Sequence, residues 1–114
     1  MPATTAAETT STVVLPIARP SQILRSQPAS RWCKEKIRRA AEDGTVQFCA
    51  IGRLADEGGF LWREWDGKSH EWSNAAVFVR RLYGLSFNQI TAIMLRNDRH
   101  DLDAVIEFLD RRGK

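Results

Sequence analysis

The segment that decides the fold is Phe48-Cys49-Ala50-Ile51-Gly52-Arg53-Leu54. Its small residues lie in a stretch whose apolar residues recur at helical spacing. Because small residues let two backbones approach closely, we expect this segment to pack tightly against a neighbouring element. We therefore expect Cys49 to be buried as a small apolar group.

Helical spacing and capping residues predict about five short helices. We place them at residues 31–42, 45–56, 73–83 and 87–95 and from residue 102 onward. The predicted N-caps are Ser30, Ser73 or Asn74, Ser86 and Asp101. The predicted helix ends are Asp43-Gly44, Gly58-Gly59 and Gly84. Residues 60–72 are rich in Trp, and their Asp66-Gly67 pair indicates a hairpin turn. The predicted fold class is all-α: a small orthogonal bundle with an aromatic-rich loop or short hairpin between helices 2 and 3.

Residues 1–29 hold all four prolines of the chain and are otherwise rich in Thr, Ala and Ser. Such a composition buries too little apolar surface to offset chain entropy, so we expect a disordered arm there. The compact domain is expected at residues 30–114, which hold every Trp and Phe. With no apolar run long enough for a signal peptide or a membrane span, we expect a cytoplasmic protein with free thiols and no membrane contact.

Basic residues crowd the C-terminal part of the chain. They are Arg96, Arg99, Arg111, Arg112 and Lys114. Acidic residues interleave with them and the net charge is only +3, so we interpret this part as a solvated surface of mixed charge.

Several short motifs follow one another in a recognisable order: Trp32, Asp43-Gly44, Cys49-Ala50-Ile51-Gly52-Arg53-Leu54, Asn97-Asp98 and Asp103-Ala104-Val105-Ile106. Over roughly residues 31–112 they resemble an uncharacterised family of small bacterial and phage proteins, a domain of unknown function. Arg53 stands where that family tends to carry Ala, and Leu95-Arg96 where an aromatic is more usual. The resemblance implies a fold without an activity, and it marks Trp32, Cys49, Gly52, Asn97 and Asp98 as structural motif residues.

The composition favours a noncatalytic interaction or regulatory domain with a protein partner. Large aromatic side chains supply much of the contact energy at interfaces, so Trp62, Trp65 and Trp72 are the candidate partner contacts. Asn97 and Asp98 are expected to bond nearby backbone N–H groups in a turn just ahead of the last helix.

An alternative function is DNA binding by a helix-turn-helix at residues 75–95. Val79, Leu85, Ile90 and Ile93 occupy the apolar positions of such a motif, although Arg80 stands where a small side chain is needed. The second helix would offer base-contacting side chains, namely Asn88, Gln89, Thr91 and Arg96. A nucleic acid is therefore the alternative partner, although the small net positive charge gives little support to DNA binding.

A third hypothesis is a Cys-dependent enzyme, with Cys49 as nucleophile, His100 as base and Asn97 or Asp98 as orienting group. The expected burial of Cys49 opposes it, because a nucleophilic cysteine must reach its substrate as a thiolate. The two Cys and two His also lack metal-ligand spacing. We therefore predict no enzymatic activity, no metal and no cofactor.

Overall fold

The computed structural model describes residues 18–62 and 70–114. Within these ranges the elements are α1 (Pro20–Arg25), a 3-10 turn (Ala29–Arg31), β1 (Arg38–Ala40), β2 (Val46–Phe48), α2 (Ala50–Glu57), α3 (Glu71–Tyr83), α4 (Phe87–Arg99) and α5 (Leu102–Asp110). The two strands form an antiparallel sheet in which Arg38 pairs with Phe48 and Ala40 with Val46. The fold is mostly helical with five helices in the described ranges, as predicted, but the small sheet means that it is not purely all-α.

The helix predicted at residues 31–42 is absent, and β1 occupies its last part. Asp43-Gly44 forms the turn of a hairpin instead of ending a helix: Asp43 Oδ1 accepts hydrogen bonds from Thr45 N at 3.0 Å and from Thr45 Oγ1 at 2.7 Å. Gly44 takes a positive φ of 87°, which a side chain would disfavour. Because β2 takes residues 46–48, the helix predicted at 45–56 begins only at Ala50.

The predicted arm contains a helix of the folded domain. Pro20 opens α1, a position that suits proline because the first helical N–H needs no intrahelical partner. Ile23 and Leu24 of this helix are buried in the common core. Ser21 N donates to Lys114 O at 3.1 Å, and Arg25 forms an ion pair with Asp110. The domain therefore begins before the predicted boundary at residue 30, while residues 1–17 of the arm lie outside the described ranges.

The C-terminal half follows its sequence signals more closely. Gly84 ends α3 in the left-handed conformation, with a φ of 67°. Ser86 and Gln89 form a capping box at the start of α4, and Asp101 Oδ1 caps α5 by accepting from Ala104 N at 2.9 Å. Two details differ: His70, not Ser73 or Asn74, is the N-cap of α3, and α4 continues to Arg99. Asn97 and Asp98 consequently lie inside α4 and not in a turn before the last helix.

One apolar core joins all five helices of the described ranges. Its fully buried members include one residue from each helix, namely Leu24, Leu54, Val79, Ile93 and Leu109. The close approach expected at the small-residue segment is confirmed at Gly52, where an added Cβ would collide with the carbonyl oxygen of Ile37. No helix in the described part of the chain is long and apolar enough to cross a membrane.

Candidate functional site

A polar cluster around Asn97 brings the motif residues together. Asn97 is only 2% exposed, and its Oδ1 accepts from Trp32 Nε1 at 2.7 Å and from Ala50 N at 2.8 Å. Its Nδ2 donates to Cys33 O and to Asp98 Oδ1, both at 3.1 Å. A carboxamide has two donor hydrogens and two acceptor lone pairs, so the bonding capacity of Asn97 is fully used. We call Trp32, Cys33, Ala50, Asn97 and Asp98 the Asn97 cluster.

Asp98 extends this cluster to the loop before β1. Its Oδ1 also accepts from Glu35 N at 2.8 Å. Glu35 has a φ of 66°, a left-handed conformation that is costly for a residue with a side chain. Asp98 therefore stabilises a strained backbone, and both residues of the Asn97-Asp98 pair bond segments more than 40 positions away in the sequence.

Cys49 is buried, as the sequence predicted, but it lies at a helix end and not within a helix. It is the N-cap of α2, and its Sγ accepts from Gly52 N at 3.4 Å. Burial raises the pKa of this thiol to about 12. It lines a small cavity of about 90 Å³ beside Asp98, whereas His100 lines a different cleft. The thiol and the imidazole of the hypothetical enzyme therefore line separate cavities.

The three candidate tryptophans differ in their surroundings. Trp62 is packed: its Nε1 donates to Asp56 Oδ1 at 3.0 Å, and its ring lies 5.4 Å from Phe48 and 4.8 Å from Phe60 between centroids. Trp72, on the first turn of α3, is 36% exposed. Trp65, like the Asp66-Gly67 pair, lies outside the described residues. Of the two candidate tryptophans that the structure describes, Trp72 is the exposed one.

Helices α3 and α4 carry the candidate helix-turn-helix. The four apolar positions of the motif are all buried: Val79, Leu85, Ile90 and Ile93. Three of the four candidate base-contacting side chains already have partners. Gln89 belongs to the capping box, Thr91 Oγ1 donates to Phe87 O at 3.2 Å, and Arg96 Nη1 donates to Ala92 O at 3.3 Å. Asn88 alone is exposed with no bond in the described part of the chain.

Sequence reasoning missed an exposed apolar surface on α4. Phe87 lies at helical spacing from the buried Ile90, which is typical of a core residue, yet its side chain is 65% exposed. The guanidinium carbon of Arg80 lies 5.9 Å from the centroid of its ring. Leu95, two turns further along α4, is 37% exposed. Phe87, Thr91, Leu95 and Arg99 follow one another at i, i+4 spacing, which makes them a continuous ridge on the helix.

The ridge on α4 runs into a cleft between α4 and α5 of about 410 Å³. Nine residues line this arginine cleft: Leu95, Arg96, Arg99, His100, Ala104, Glu107, Phe108, Arg111 and Arg112. Its four arginines face a single acidic lining residue, Glu107. The C-terminal crowding of arginines was visible in the sequence, but their convergence on one concave surface depends on the packing of α4 against α5.

Among the residues that the structure describes, no group of His, Cys, Asp and Glu is arranged to hold a metal ion. No known protein family matches the chain, and neither does any curated protein or solved structure. The resemblance to an uncharacterised bacterial and phage family therefore stays a prediction from short motifs.

Proposed function

We propose that this chain is a noncatalytic interaction domain that binds a protein partner through the exposed ridge of α4. The observation that carries the proposal is the exposure of the Phe87 side chain, at 65%. The other large apolar side chains of α4 turn inward or lie further along the same ridge. A phenylalanine ring left in water contributes little to folding, whereas its burial against a partner contributes about 1.5–3 kcal/mol.

The surroundings of Phe87 suit an interface. Arg80 lies beside its ring and Leu95 follows it along the ridge. Aromatic and Arg side chains dominate the binding energy of many interfaces, since they combine a large contact area with directed hydrogen bonds.

The state of Cys49 supports the noncatalytic part of the proposal. With its pKa raised to about 12 by burial, this thiol stays protonated at neutral pH and is a poor nucleophile. Cys33 is also buried and free. Two reduced thiols suit a reducing compartment, so we place the proposed function in the cytoplasm.

Photo-cross-linking in the native host tests the proposal. Phe87 is replaced by a photoreactive phenylalanine analogue, which keeps the ring at the centre of the ridge. We expect one cross-linked protein species, which is lost when Leu95→Asp places a charge on the same ridge. The matched control carries the analogue at Glu42, an exposed position on the hairpin. Identical products from both positions, or no product from position 87, would contradict the proposal.

A helix-turn-helix that binds duplex DNA is the second candidate function, and the burial of Val79, Leu85, Ile90 and Ile93 favours it. A salt titration of the affinity for duplex fragments separates it from the first. DNA binding predicts a steep fall of affinity with salt and a loss on Asn88→Ala, which leaves the capping box intact. Absence of binding at low salt would eliminate this candidate.

A further inference from the structure

We infer that the arginine cleft between α4 and α5 binds the carboxylates of an acidic peptide segment that also carries apolar side chains. The inference rests on the proposed function and names the chemistry of the partner. An ionised carboxylate accepts two parallel N–H bonds from a guanidinium, so several arginines around one concavity are a suitable receptor for it.

Two of the four guanidinium groups are held in place before any ligand arrives. The guanidinium carbons of Arg96 and Arg112 lie 4.4 Å and 3.7 Å from the ring centroid of Phe108. Each side chain also donates one bond to a backbone carbonyl: Arg96 to Ala92 O at 3.3 Å, and Arg112 to Phe108 O at 3.0 Å. A guanidinium has five N–H donors, so most of theirs have no protein partner in the described part. Because these side chains are already positioned, binding costs less conformational entropy.

The remaining basic groups are open to solvent. Arg99 is exposed and has no partner among the described residues. Arg111 pairs with Glu107 at 3.3 Å, but both side chains are largely exposed, at 73% and 67%. Such an exposed pair is worth little and is readily exchanged for a ligand carboxylate.

Two acidic residues that lie near the cleft in sequence have partners outside it. Asp101 caps α5, and Asp110 pairs with Arg25 of α1, whose hydrogen bond lowers the pKa of the Asp110 carboxyl. Four basic residues and one acidic residue line the cleft. Positive charge is therefore concentrated in this concavity, where it attracts anions.

The shape and lining favour a peptide over a nucleic acid. Leu95, Ala104 and Phe108 contribute apolar surface to the same cleft as the arginines. A volume of about 410 Å³ holds a few side chains. Reading the bases of a DNA duplex instead requires a protruding element that enters its groove. Alternating acidic and apolar side chains match both the charge and the apolar surface.

The test uses the full chain and a fluorescein-labelled octapeptide of alternating Glu and Leu, with fluorescence anisotropy as the readout. A Gln-Leu peptide of the same length and a single-stranded oligothymidylate serve as comparison ligands. We expect the Glu-Leu peptide to bind more tightly than both, with an affinity that falls as salt is added.

Charge reversal locates the binding. Arg99→Glu is expected to weaken Glu-Leu binding roughly tenfold, because an attraction becomes a repulsion at one wall of the cleft. Arg81→Glu is the matched control: it makes the same change of charge in the last turn of α3, outside the cleft, and less than about a twofold effect is expected. Urea unfolding of both variants verifies that each is folded.

Three results would overturn the inference: equal affinities for the Glu-Leu and Gln-Leu peptides, equal effects of the two charge reversals, or tighter binding of oligothymidylate that depends on Arg99. If the peptide fails to bind while the cross-link from position 87 persists, this inference is wrong and the proposed function stands. Peptide binding that depends on Arg99, without any cross-link from position 87, supports the carboxylate chemistry and overturns the proposed use of the ridge.

Discussion

The last two turns of α4 carry two polar regions that differ in their state of bonding. Asn97 faces the Asn97 cluster, where every donor and acceptor of its carboxamide is used. Its neighbour Arg96, together with Arg99, faces the arginine cleft, where most guanidinium donors lack a protein partner. The difference gives a criterion for the role of a polar residue. A residue whose hydrogen-bonding groups already have partners within the protein has a structural role, and one whose groups lack such partners is available to bind a ligand.

The Asn97 cluster has a clear energetic logic. A buried polar group is costly unless it is paired, and the cluster pairs a side chain of α4 with the backbone of two distant segments. It therefore holds the irregular chain before β1 and the start of α2 against α4. The arginine cleft contributes no comparable hydrogen bond between distant segments, since Arg96 and Arg112 donate only to carbonyls one helical turn away. Its link between α4 and α5 is the packing of Arg96 on the ring of Phe108.

The largest effect is expected when the Asn97 cluster is broken. Asn97→Ala leaves the Trp32 indole N–H, the Ala50 N–H and the Cys33 carbonyl without their partner, and the last two of these bonds are buried. We expect the free energy of unfolding to fall by about 3 kcal/mol or more, measured by urea denaturation. Asn88→Ala, on the exposed side of the same helix, should change it by no more than about 0.5 kcal/mol. Similar losses in the two variants would contradict the structural role of Asn97.

A smaller and pH-dependent effect is expected from Cys49, which lines a cavity beside the cluster. Burial raises its pKa from the ordinary 9.0 to about 12 in the folded chain. Below pH 9 the thiol is protonated in both the folded and unfolded states. Above it, the unfolded thiol ionises first, so the free energy of unfolding falls with a slope that approaches about 1.4 kcal/mol per pH unit until the folded thiol ionises too.

The measurement is urea denaturation of the wild type and of Cys49→Ala across about pH 8 to 10.5, a range that spans the ordinary thiol pKa. The stability advantage of the wild type over the variant should shrink as the pH rises. Cys33→Ala is a useful second variant, because burial also raises the pKa of Cys33. An advantage that stays constant with pH would show that the Cys49 thiol is not protected from ionisation.

The same distinction between local and distant bonds explains which parts of the fold were predictable. Ser86, Asp101 and Gly84 act on residues within one turn, so the starts of α4 and α5 and the end of α3 could be read from the sequence. Residues 31–42 instead depend on pairing with β2 and on bonds to Asn97, more than 60 positions away. Helical spacing in that stretch carried no information about these distant partners.

The candidate sites show the same limit. The arginines of the cleft were visible in the sequence, but Glu107 and Asp110 beside them suggested a surface of mixed charge. Only the fold shows that Asp110 forms an ion pair with Arg25, so it does not neutralise the arginines of the cleft. The exposure of Phe87 was also hidden, because its spacing from Ile90 and Met94 is that of an inward-facing residue.

The smallest effect on stability is expected from a substitution in the arginine cleft. This substitution tests most directly whether the cleft differs from the Asn97 cluster. Arg99→Gln removes a charge from the last turn of α4, where a cation gains a few tenths of a kcal/mol from the helix dipole. Since Arg99 has no other partner in the described part, the free energy of unfolding should fall by no more than about 0.5 kcal/mol in urea denaturation. A side chain that contributes so little to folding while occupying the wall of a basic cleft is free to serve a ligand. If Arg99→Gln instead approached the loss expected for Asn97→Ala, the cleft would be a second structural cluster, and the two sides of α4 would not differ in kind.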